Sequence, residues 1–125
     1  MTLGQVYVLG AGLTFLAIFV TGHRLSRLAQ SRGTILLTAH KILGLCPVVL
    51  LVATSARIGE AGGLAVSDWV AVAVAGALCV VAIVSGGLIS ARADAPRNLR
   101  MAHRIASTLA MLASAVAIYF LLVRV

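Results

Sequence analysis

Two histidines, His40 and His103, lie inside different apolar runs in matching contexts, Thr38-Ala39-His40-Lys41-Ile42 and Met101-Ala102-His103-Arg104-Ile105. An imidazole in hydrocarbon costs free energy unless a partner or ligand satisfies it. Two imidazoles in matched settings point to one ligand shared between them. A bis-imidazole iron needs such a pair, each ring neutral and offering a nitrogen lone pair. The residues leave three readings open: ligation of a shared group, helix-to-helix hydrogen bonding, and proton or metal handling.

The elements that position the pair follow from composition. At 62% hydrophobic residues and a mean hydropathy of +1.12, a chain of 125 residues is not a soluble domain. Four apolar runs, 2–22, 34–56, 69–91 and 99–123, each come near the ~20 residues that cross ~30 Å of hydrocarbon. Residues 24–33, 57–68 and 92–98 between them are polar and rich in turn formers, and Pro96 stops any continuous helix. Such short connections predict an all-α fold, a four-helix transmembrane bundle running up-down-up-down in a single integral membrane domain, 1–125. The first run has no charged start and no clear small-residue cleavage site, so it reads as a retained helix.

Charge gives the expected orientation. Arg24, Arg27 and Arg32 lie in the first connection and Arg92, Arg97 and Arg100 in the third. The middle connection sets Arg57 against Glu60 and Asp68, and the termini offer only Arg124. The positive-inside rule then puts both termini outside, in what reads as a prokaryotic inner (plasma) membrane. The net charge of +7 is explained by topology and by anionic headgroups of the lipid bilayer, so no nucleic-acid partner is expected. Spans two and four both start on the cytoplasmic side. His40 and His103 therefore lie at similar depth, about 10 Å in at 1.5 Å per residue.

The chain also repeats itself. Shifted by 64, Gly12 meets Gly76, Val20 meets Val84, Thr21 meets Ser85 and Gly22 meets Gly86. Shifted by 63, Ala39-His40-Lys41-Ile42 falls on Ala102-His103-Arg104-Ile105 and Gly44 falls on Ser107. This reads as a duplicated helical hairpin with a repeat axis along the membrane normal. At helical spacing the histidine faces are small: His103, Ser107, Ala110, Ser114 and Ala117 on one span, His40, Gly44 and Pro47 on the other. Gly12 and Gly22 on span one and Gly76 and Gly86 on span three complete a set of small residues near the cytoplasmic end. Close helix packing explains glycines of this kind by itself. At the histidine level they also make room for a flat guest, and one haem b per chain fits best, with His40 and His103 on its iron. Arg100 is placed to face the propionates, and Arg24, Lys41 and Arg104 can snorkel to the same level or serve only as positive-inside anchors.

On these residues, namely His40, His103, the basic residue after each, and Gly22 and Gly86 on the neighbouring spans, the chain resembles the small four-helix transmembrane b-type cytochromes of the cytochrome b561 type. The resemblance covers the whole chain at the level of architecture. It implies electron transfer between a reductant or quinone and an acceptor, in that group commonly through two haems. With three histidines, this chain has ligands for one bis-histidine haem only, and one haem near a single leaflet does not carry electrons across ~30 Å. The expectation is therefore electron exchange with quinone or a redox partner protein, as a subunit of an oxidoreductase or a homo-oligomer.

The remaining residues add less. His23 ends the first span beside Gly22 and reads first as an interfacial side chain, with helix capping, propionate binding and quinone proton transfer as alternatives. Cys46 and Cys79 have no redox or zinc spacing and read as small buried hydrophobes. Pro47 should bend span two, while Trp69, Tyr7 and Tyr119 suit an aromatic belt. A proton-coupled exporter needs an intramembrane carboxylate, and Glu60, Asp68 and Asp94 read as connection residues. No hydrolase arrangement is visible. The competing class is a non-redox structural or assembly subunit whose histidines hydrogen-bond between helices.

Overall fold

The computed structural model describes residues 3–28, 33–60 and 64–123, and among them the fold is all-α. Four helices follow in order: α1 (Leu3–Arg27), α2 (Thr34–Glu60), α3 (Val66–Ala91) and α4 (Arg97–Val123). Each is long and apolar enough to cross a membrane, as expected of an integral membrane protein. Thr2, Arg32 and Arg124, used above to mark the first span and the charge asymmetry, lie outside the described residues.

The helices run past the apolar stretches that reveal them. α1 continues through His23 and Arg24 to Arg27 and α2 through Arg57 to Glu60, because a helix satisfies its own backbone in water as well as in lipid. α2 starts just after Gly33, whose carbonyl accepts the Leu37 N–H at 3.1 Å. α4 starts just after Pro96, whose carbonyl accepts the Leu99 and Arg100 N–H groups at 3.1 and 3.2 Å. Proline has no N–H to waste at a helix start, so it suits this place.

α3 begins three residues earlier than expected, and this changes the place of Asp68. Asp68 is not in a connection: it occupies the first turn of α3, is 3% exposed, and accepts the Ala65 N–H at 2.9 Å. Its carboxylate ties down the backbone at the helix N-terminus, where negative charge is also favoured by the helix dipole. Asp68→Ala should lower stability by about 1 kcal/mol. The check is the denaturation midpoint of the detergent-solubilised protein, and an unchanged midpoint would remove the cap from the account.

The chain forms two compact units, Met1–Leu50 and Leu51–Val125. The first holds α1 and the beginning of α2. The division falls three residues beyond Pro47, which is buried inside an α2 that runs without interruption from Thr34 to Glu60. Proline there withdraws one N–H from the helical ladder.

The second unit holds the end of α2 with α3 and α4, and α3 packs along α4. The buried face of α4 is Ala106, Ala110, Ser114, Ala117, Ile118 and Leu121, and that of α3 includes Ala75, Cys79 and Ser85. Mostly alanine, serine and cysteine, these faces let the helices approach closely where lipid offers no hydrophobic drive for association. Cys79 Sγ and Ser114 Oγ meet at 3.5 Å in the buried seam.

Candidate functional site

The sequence-predicted histidines occupy equivalent berths, one in each unit. In the first, His40 Nδ1 on α2 lies 3.0 Å from Thr21 Oγ1 on α1. Thr21 is itself turned back on its helix, 2.7 Å from the Ala17 carbonyl and 3.1 Å from that of Ile18. A hydroxyl has one proton, and here it follows the shorter bond to Ala17 O. The Thr21 oxygen then accepts from the His40 Nδ1–H.

The second unit repeats the arrangement on α3 and α4. His103 Nδ1 lies 3.0 Å from Ser85 Oγ, and Ser85 donates back to the Val81 carbonyl at 2.7 Å. His103 Nδ1 is also 3.0 Å from the Ala82 carbonyl. A carbonyl only accepts, so this hydrogen-bond network assigns the proton of the neutral ring to Nδ1. The lone pair is left on Nε2, one of the two nitrogens through which an imidazole can ligate a metal.

The same two glycines make room for the rings. A Cβ added to Gly22 would come within 3.1 Å of His40 Cε1, and one on Gly86 within 2.9 Å of His103 Cε1. Each berth is thus a hydroxyl residue followed by glycine, Thr21-Gly22 or Ser85-Gly86, closing on a histidine from the next helix. The hydroxyls were not among the residues singled out from sequence, although Thr21 and Ser85 coincide in the repeat. The signal that could have found them is a hydroxyl residue directly before the repeated glycine in both halves.

The other expected site residues are placed differently. A Cβ on Gly12, Gly44 or Gly76 meets nothing within 4 Å, so these glycines border open space. Ser107, one turn beyond His103, donates its hydroxyl to the His103 carbonyl and so turns towards its own helix. Arg100 does not simply extend towards a ligand: its Nε and Nη2 donate to the Ala95 carbonyl at 3.0 and 2.7 Å, leaving three of its five N–H donors for an anion. Arg24, Lys41 and Arg104 are exposed. His23 is exposed and lies parallel to Phe19, the ring centroids 6.4 Å apart and the planes at 11°. It takes no part in either berth. Cys79 is buried as expected, whereas Cys46 is only partly so and faces the Ile42 carbonyl of its own helix at 3.6 Å.

Among the described residues no group of three or more His, Cys, Asp and Glu side chains is placed to hold a metal ion. The chain matches no protein-family model, no curated protein and no solved structure.

Proposed function

We propose that the protein is a membrane b-type cytochrome that holds one haem b through His40 and His103 and exchanges electrons with quinone or a partner protein near the cytoplasmic leaflet. The observation that carries this reading is the duplicated berth: two histidines, each with Nδ1 on a hydroxyl anchored to its own helix and each seated against a glycine. Fixing Nδ1–H as a donor is how proteins commonly orient an imidazole that ligates through Nε2. When bound, haem b supplies one-electron chemistry at its iron. The chain supplies two oriented imidazoles, seated against Gly22 and Gly86, and cations for the propionates at Arg24, Lys41, Arg100 and Arg104. Both termini outside a prokaryotic plasma membrane is the orientation that agrees with the arginines of the first and third connections.

A second reading, a non-redox structural or assembly subunit, draws on the same bonds, since Thr21–His40 and Ser85–His103 both join one helix to another. The two readings part on colour. Protein purified in detergent after expression with ample haem should give a sharp reduced α-band of b-type, appearing with dithionite and lost on reoxidation. A colourless preparation would favour the structural subunit.

A further inference from the structure

We infer that the hydroxyls of Thr21 and Ser85 are positioning residues that set the ring plane and the electron-donating strength of the two haem ligands, and so hold the reduction potential of the haem down. This rests on the cytochrome reading.

Each hydroxyl is a fixed acceptor and not a freely turning one. Thr21 is pinned at 2.7 Å to Ala17 O and Ser85 at 2.7 Å to Val81 O, each four residues back on its own helix. With its proton committed to the helix, the oxygen turns a lone pair to the Nδ1–H of the facing ring at 3.0 Å. The ring is then held at three places: its own Cβ; Nδ1 on the hydroxyl and, for His103, on the Ala82 carbonyl as well, at 3.0 Å; and Cε1 against the glycine that follows the hydroxyl residue. Rotation about the Cβ–Cγ bond would break the second and drive the third into the neighbouring backbone.

Such a bond also has an electronic effect. Drawing the Nδ1 proton towards an acceptor raises the basicity of Nε2, and a more basic ligand favours the ferric over the ferrous iron. Because both berths have this device, the effects on the two ligands act in the same direction. The repeat supplies an internal control as well, since threonine performs the task in one hairpin and serine in the other. The two should be interchangeable.

The test compares Thr21→Val and Ser85→Ala, which lack the hydroxyl, with Thr21→Ser and Ser85→Thr, which keep it. The readouts are spectroelectrochemical titration of the haem and the electron paramagnetic resonance of its ferric form. The hydroxyl-less variants should shift the ferric preference about tenfold, the size of the smaller second-shell effects on metal affinity or activity, which reads as a rise of about 59 mV for one electron. Their ferric signals should broaden or move as the ring planes loosen, while the conservative variants keep wild-type values. Loss of haem from Thr21→Val but not from Thr21→Ser supports the inference equally. It is overturned if red protein with either hydroxyl removed keeps the wild-type potential and signal, or if the valine and serine variants of Thr21 change alike. A colourless wild type sinks the cytochrome reading itself, an outcome separate from the others.

Discussion

Replacing either His40 or His103 by alanine should abolish the six-coordinate, low-spin haem spectrum, while His23→Ala should leave it intact. The two berths each offer one Nε2, and the described residues provide no third imidazole in a like setting, since His23 is exposed beside Phe19. If the two histidines hold haem as proposed, loss of either would change the spin state of the iron and weaken the hold on the macrocycle. The size of the effect separates the rival accounts. If the histidines only join helices, removing His103 deletes bonds to Ser85 and Ala82 that are worth about 0.6 kcal/mol each on average within membranes. That loss lowers stability a little and has no colour to change. Haem content per chain and the dithionite-reduced spectrum of the three variants decide the matter. A low-spin spectrum surviving in His40→Ala or His103→Ala would remove that residue from the ligand set.

Gly86→Leu should displace His103 from its berth and cost most of the bound haem, whereas Gly87→Leu, on the adjoining residue, should be tolerated. A Cβ on Gly86 comes within 2.9 Å of His103 Cε1, and one on Gly87 meets nothing within 4 Å. A flexible side chain would swing away from such a clash at little cost. His103 cannot do so without giving up Ser85 Oγ and Ala82 O, which hold its Nδ1 at 3.0 Å. Overpacking in a closed seam costs about 1 to 3 kcal/mol, and a ring turned out of place loses its alignment with the metal as well. Gly22→Leu should act in the same way on His40, where the approach is 3.1 Å. Equal haem retention by the Gly86 and Gly87 variants would show that the ring does not depend on that close approach.

The helical architecture was readable in the residues, and the hydrogen bonds that seat the two histidines were less so. Four apolar runs near the thickness of a bilayer declare four helices, but apolarity reports the hydrocarbon and not the hydrogen bonds, so the runs do not show that α1 continues to Arg27 and α2 to Glu60. Asp68 was misplaced for the same reason. It follows only Val66 and Ser67 within the helix, and its role depends on a reciprocal bond to Ala65 that no hydropathy pattern contains. The glycines divide in an instructive way. Spacing alone marks Gly12, Gly22, Gly44, Gly76 and Gly86 alike, and only the packing separates Gly22 and Gly86, on which a ring rests, from the three that border open space. Arg100 was read by its charge, whereas its first engagement is with the Ala95 carbonyl one turn away. Thr21 and Ser85 were seen as a coincidence of the repeat, because a hydroxyl in an apolar helix is as often satisfied by its own backbone, and here it is satisfied by both.

Each berth is assembled from a short stretch of chain, residues 17–40 in one hairpin and 81–103 in the other, and this has a consequence for the order of events at the ribosome. A polypeptide grows at about 5–20 residues per second, so residue 40 leaves the peptidyl-transfer centre roughly 3 to 13 seconds before residue 103. The contacts of His40 with Thr21 and Gly22 lie within the first hairpin, α1 and α2. Biosynthesis can therefore deliver a finished first hairpin to the bilayer, its imidazole already aligned, while the second is still being translated, and insertion proceeds as two similar steps in series.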